Sequence, residues 1–158
     1  MTLKTGDRAP DFDVEGQQAG AARRLRLSDF HGQKNVVLYF YPRDFTPVCT
    51  QEACGFRDVY DELASHDTEV IGVSVDDDAS HTRFASKHNV TFPLVADPDR
   101  TLARQYQATS MLRDLLGATK RVTYVIDKQG TIRGVFQGEL SADKHVQGAK
   151  SVIATLAS

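Results

Sequence analysis

Apolar and polar positions along the chain alternate between two periodicities. The runs NVVLYFY (35–41) and EVIGVSV (69–75) are continuously apolar and rich in β-branched and aromatic residues, which predicts strands buried on both faces. RVTYVID (121–127) and TIRGVFQG (131–138) are joined by Lys128, Gln129 and Gly130, a glycine-containing turn that predicts a hairpin. Between and after these strands the pattern becomes helical, over about 47–65, 79–88, 101–106 and 142–156. Strands alternating with helices, then a hairpin and a closing helix, predict an α/β domain with a central mixed β-sheet flanked by helices. The segment TSMLRDLLGATK (109–120) fits a loop or a short helix equally well. No internal repeat, low-complexity tract or Pro/Gly-rich linker divides the chain, so residues 1–158 are expected to form a single domain.

Composition narrows the partners. With 41% hydrophobic and 25% charged residues the chain is ordinary for a globular protein, and 158 residues can bury a core without disulfide staples. A net charge of −2 gives no electrostatic reason to expect nucleic acid or an anionic membrane. The basic cluster RRLR (23–26) alternates with leucines and reads as the solvated side of a short strand. No apolar run approaches the ~18 residues that span a bilayer, and the N-terminus lacks the apolar core of a signal peptide. The expectation is a cytoplasmic protein in a reducing compartment, where two cysteines are catalytic or inert more often than structural.

Both cysteines, Cys49 and Cys54, lie in the stretch YFYPRDFTPVCTQEACGFRD (39–58). Thr46 followed by Pro47 predicts a helix start, because threonine caps well and proline at the first position loses no needed N–H. Cys49 then sits in the first turn, where free backbone N–H groups and the positive end of the helix dipole favour an anion. The thiolate is the nucleophilic form of cysteine, so this register predicts a reactive residue. Phe56, Val59, Tyr60 and Leu63 form a buried stripe that includes Cys49 and Ala53. Cys54 is turned about 140° away from Cys49, among Arg57, Asp58 and Asp61. In an intact helix, Cα atoms five residues apart are nearly ~9 Å apart, and a disulfide tolerates about 7 Å. The spacing therefore suits a closed reactive form and an opened, disulfide-forming one. Zinc would need more ligands than these, and His31, His66, His81, His88 and His145 show no paired ligand spacing, so no metal is expected. A dithiol exchanger would want Cys-x-x-Cys.

Pro42-x-x-x-Thr46-x-x-Cys49 resembles the active-site motif of the peroxiredoxins, Pro-x-x-x-Thr/Ser-x-x-Cys. With Cys54 and EACGFRD, the segment is similar to their Q-type subgroup, also called bacterioferritin comigratory proteins. GDRAPDF, EVIGVSVDD, FPLVADPD and RVTYVIDKQGTIR occur in similar order, so the resemblance covers most of the chain. It implies a thioredoxin-like fold and reduction of hydrogen peroxide or organic hydroperoxides without metal, haem or flavin. By the same resemblance Cys49 is the peroxidatic cysteine, oxidised to a sulfenic acid. Cys54 resolves it as an intramolecular disulfide, which thioredoxin or a similar dithiol donor reduces.

Thr46 can cap the helix and also hydrogen-bond the thiolate or the peroxide, and Pro42 can shield the thiolate as well as end a strand. Cleaving an O–O bond develops charge on the leaving oxygen, which a fixed cation would stabilise. Spacing leaves Arg43, Arg57, Arg113 and Arg121 open for that role; the family pattern Arg-x-Thr-Phe/Tyr-x-Ile-Asp points to Arg121. Glu52 stands where the subgroup often has glutamate and is expected to support the site. The 109–120 segment departs from the more usual short link before that arginine, which leaves the pocket wall open. Two thiols on one chain require no dimer, so a monomer is expected. A peroxide-sensing switch that relays its disulfide to a client, and a thioredoxin-like binding module, are the competing classes.

Overall fold

The structure, a computed structural model, describes residues 2–110, 112, 115 and 119–157; half of the 109–120 segment, Arg113 included, lies outside the described residues. The first two predicted strands are the paired centre of a seven-stranded mixed sheet. β3 (Asn35–Phe40) runs parallel to β4 (Thr68–Ser74), with Leu38 opposite Ile71, and antiparallel to β6 (Val122–Ile126), with Leu38 opposite Tyr124. The predicted hairpin joins β6 to β7 (Ile132–Gln137) at one edge. On the other side β5 (Leu94–Ala96) lies parallel to β4 and antiparallel to β1 (Asp13–Gln18), which pairs with β2 (Ala21–Arg26). The order is β2-β1-β5-β4-β3-β6-β7.

The period-2 alternation of β3 separates two cores. Val36, Leu38 and Phe40 pack on one face with Leu27 and Phe30 of α1 (Leu27–Phe30) and Leu102 and Ala103 of α4 (Thr101–Gln105). Val37, Tyr39 and Tyr41 point the other way. They meet Cys49, Ala53, Phe56 and Leu63 of α2 (Pro47–Ser65), Phe84 of α3 (Asp78–His88), and Val146, Ala149 and Ile153 of α5 (Ala142–Leu156). Each such side chain contributes about 1.5–3 kcal/mol when fully buried. Gly55, inside α2, permits the approach of α5: a Cβ there would meet Val146 Cγ2 at 2.8 Å.

α2 and α5 have the predicted bounds, whereas α3 starts one residue early and α4 ends one residue early. Asp77 sets the start of α3 by accepting the Ser80 N–H at 2.8 Å. The basic cluster 23–26 lies in strand β2, as expected, with Leu25 buried and Arg24 exposed and paired to Asp13. Its partner β1 and the short β5 and α1 were not predicted. Among the described residues no helix is long and apolar enough to cross a membrane.

Candidate active site

The loop 41–46 connects the end of β3 to the start of α2. Tyr41 continues the strand by donating its N–H to Val73 O at 3.0 Å. Thr46 is the extended N-cap, Pro47 opens the helix, and the Thr50 N–H donates to Thr46 O at 2.8 Å. The expected side-chain cap is not made. The Thr46 hydroxyl instead donates to Arg43 O at 2.9 Å, which ties the loop to itself and leaves the first helical N–H groups without that acceptor. Pro42 and Thr46 are half-buried, while Phe45 between Asp44 and Thr46 is exposed.

Cys49 is fully buried in the first turn, on the inward face as predicted. Arg121, at the entrance to β6, is brought beside it with Nη2 3.1 Å from the sulfur. The rest of the guanidinium is committed too: Nη1 donates to Glu52 Oε1 at 2.7 Å and Nε to Glu139 O at 3.2 Å. The Arg121 N–H donates to Glu139 Oε1 at 3.1 Å. A planar fork held at three nitrogens has little freedom to turn. Burial works against its charge, but the Glu52 carboxylate and the Cys49 sulfur outweigh that and hold its pKa above the ordinary value.

Glu52, one turn after Cys49, is also fully buried. Burial pushes its carboxyl up from 4.5 to about 8; Arg121 opposes the shift and Glu139 adds to it. Its second oxygen, Oε2, lies 3.6 Å from His145 Nδ1 and has no hydrogen-bond partner among the described residues. Burial lowers the His145 pKa, favouring the neutral ring. That ring donates from Nε2 to Gly138 O at 2.9 Å and accepts the Thr123 hydroxyl at Nδ1 at 2.7 Å. A line of buried polar groups thus runs from Cys49 through Arg121 and Glu52 to α5. Sequence reasoning missed Glu139, Thr123 and His145, which no spacing connects to the cysteine.

Cys54 lies in the same continuous helix, and the two cysteines are not bonded to each other. It is on the side expected but half-buried rather than open to solvent, because Arg57 covers it. Arg57 Nη1 is 3.6 Å from Cys54 Sγ and donates to His88 O at 2.7 Å. Of the arginines that spacing left open, Arg121 stands at Cys49 and Arg57 at Cys54. Arg43 supplies the carbonyl that holds Thr46.

A buried thiol at a helix start, beside a fixed guanidinium and with a second thiol one and a half turns away, is equipped for nucleophilic redox chemistry. The model of the AhpC/TSA family matches residues 5–135. The chain belongs to this family. Within it, the chain is 38% identical to Peroxiredoxin Bcp of Bacillus subtilis over 135 residues, covering 84% of this chain and 83% of that protein. It is 38% identical to the chloroplastic Peroxiredoxin Q of Triticum aestivum over 155 residues, covering 98% of this chain and 68% of that one. The crystal structure of Peroxidoxin BcpB from Mycobacterium tuberculosis superposes with a TM-score of 0.85 at 36% identity, over 98% of each chain. The peroxiredoxin fold is thioredoxin-like, as the resemblance implied, and peroxiredoxins are thiol-dependent peroxidases.

Proposed function

We propose that Cys49 is the peroxidatic thiol of this peroxidase and Cys54 its resolving partner, within one domain that works as a monomer. The observation that carries this reading is the Arg121 Nη2 to Cys49 Sγ contact of 3.1 Å at the start of α2. The Cys49 thiolate attacks one peroxide oxygen; an S–O bond forms as the O–O bond breaks, and the second oxygen leaves with a proton as water or an alcohol. Arg121 is placed to donate to the charge developing on the oxygens, and Pro42 and Thr46 border the approach. The Cys54 sulfur then attacks the sulfenic acid, displacing water and forming the Cys49–Cys54 disulfide. Thioredoxin or a similar dithiol donor returns both thiols by exchange and is itself oxidised.

Both thiols belong to one chain, so the cycle needs no second subunit. A reducing compartment such as the cytoplasm supplies the donor. The test is a thioredoxin-coupled assay with hydrogen peroxide on the wild type and Cys49→Ser. Turnover in the first and none in the second is expected, since a serine hydroxyl is not ionised at neutral pH. Disulfide formation in the wild type without turnover would replace the peroxidase cycle with a peroxide-sensing switch.

A further inference from the structure

The loop that delivers Thr46 and Cys49 is fastened by residues that do not touch the sulfur. Asp44, in that loop, has a completely buried side chain. Its Oδ1 accepts the Tyr41 hydroxyl at 2.7 Å, and its Oδ2 accepts the Ser80 hydroxyl at 2.8 Å. The same Oδ2 lies 2.8 Å from Nδ1 of His81, whose side chain is equally buried. The other ring nitrogen, His81 Nε2, faces Val95 O at 3.1 Å, so the imidazole meets an acceptor on each side and spans from the loop to β5. The Asp44 N–H donates to Asp76 Oδ2 at 2.7 Å, and Asp76 is itself held by the Ser74 hydroxyl at 2.6 Å. One loop residue is thus bound through its main chain to the β4–α3 connection and through its side chain to the first turn of α3.

The next residue explains why such fastening is needed. Phe45 has φ +64°, a left-handed conformation that costs energy in a residue with a Cβ and persists only where its surroundings over-determine it. Its ring packs edge-on against Phe84, with centroids 5.2 Å apart, and lies 6.4 Å from His88. The two residues before Thr46 are therefore both attached to α3, Asp44 to its first turn and Phe45 to its second half.

We propose that Asp44 and His81 are positioning residues of the peroxidase, holding the 42–46 loop in the strained conformation that sets Thr46 and the start of α2 for peroxide attack. The proposal rests on the assignment of Cys49 as the peroxide-reacting thiol. Misplacing a reacting group by about 1 Å can cost ~10²-fold in rate, so a loop anchor can control the reaction without touching the peroxide.

Two substitutions at one position separate positioning from packing. In His81→Asn the amide nitrogen sits as many bonds from the backbone as Nδ1 and can still reach Asp44. In His81→Gln it matches Nε2 and can reach only Val95 O. The rate constant for Cys49 oxidation by hydrogen peroxide is measured by stopped flow, alongside the thermal midpoint of each reduced variant. H81N is expected within about threefold of the wild type and H81Q slower by about tenfold or more. Equal rates in both variants, whether fast or slow, would overturn the proposal, because loss of either bond would then be equivalent.

If H81Q does not fold, Asp44→Asn, of nearly the same size, carries the test. Paired with His81→Leu, which removes the bond to Asp44 and is slow on its own, it should be no slower than D44N alone, since residues acting as one unit are not additive. Multiplying effects would overturn the pairing. A wild type that leaves peroxide untouched would instead overturn the assignment of Cys49.

Discussion

Arg121 Nη2 lies 3.1 Å from Cys49 Sγ although the residues are 72 positions apart in the chain. The contact exists because β6 is hydrogen-bonded alongside β3, with Val122 opposite Phe40, at the end from which the cysteine loop departs. The guanidinium is pinned by Glu52 and Glu139 before any substrate arrives. Such a donor needs no reorganisation as charge develops, and removing one comparable donor costs ~10²–10³ in rate. Arg121→Ala is expected to slow peroxide attack by tens-fold or more, measured by stopped flow, and to lower the thermal midpoint, because it leaves the buried Glu52 without its partner. Kinetics close to wild type would move the role to another arginine, with Arg43 the first candidate.

Cys54→Ser separates the two thiols. It should consume about one equivalent of hydrogen peroxide and stop as a Cys49 sulfenic acid, detectable by mass spectrometry after trapping, unless an external thiol rescues it. Retention of a peroxide-reactive thiol in Cys49→Ser, with none in Cys54→Ser, would invert the roles.

Glu52 gives the fold a pH dependence of calculable sign. Its carboxyl titrates at about 8 when folded and near 4.5 as an ordinary glutamate. Below pH 4.5 both states hold the proton and the contribution to stability is fully present. Between 4.5 and 8 the unfolded chain has released the proton and the folded chain keeps it, so stability falls as pH rises, until both are ionised. One proton corresponds to a slope of at most about 1.4 kcal/mol per pH unit. Urea unfolding at several pH values should therefore show a steeper decline between pH 5 and 8 in the wild type than in Glu52→Gln. Equal slopes would mean that the Arg121 ion pair, and not burial, sets the ionisation of Glu52.

The limits of α2, the inward turn of Cys49 and the central strands were legible because each rests on local rules: a Thr-Pro start, a helical stripe and β-branched runs. β1 was not, because the one buried position in DVEGQQ is Gly16, which offers no apolar side chain, and its pairing is tertiary; β5 has only three residues. The burial of Glu52 had a sequence signal. It falls three residues after Cys49 and four before Phe56, a charge on an apolar stripe. Asp44 and His81, or Glu52 and His145, meet only after the sheet has assembled, so no periodicity could pair them. The half-burial of Cys54 has the same origin, since the residue that covers it is held by a carbonyl of α3.

The continuous helix from Pro47 to Ser65, with both cysteines unbonded, makes a last prediction about the oxidised form. Positions 49 and 54 are nearly ~9 Å apart in such a helix, beyond the roughly 7 Å of a disulfide, so the bond can close only if the first turns open. Gly55 weakens that part of the helix, since glycine costs about 1 kcal/mol against alanine, and a side chain there would strike Val146. Moving Cys54 also breaks its contact with Arg57, the side chain that ties α2 to His88 O at the end of α3, and opening the helix there strains that tie. Amide hydrogen exchange on the two forms should show faster exchange on oxidation over 48–56 and around His88, with the central strands β3, β4 and β6 unchanged. The loosened segment is then what the dithiol donor engages. Equal protection over 48–56 in both forms, with the Cys49–Cys54 disulfide confirmed by mass spectrometry, would show that the bond forms without unwinding and would refute the geometric account of the spacing.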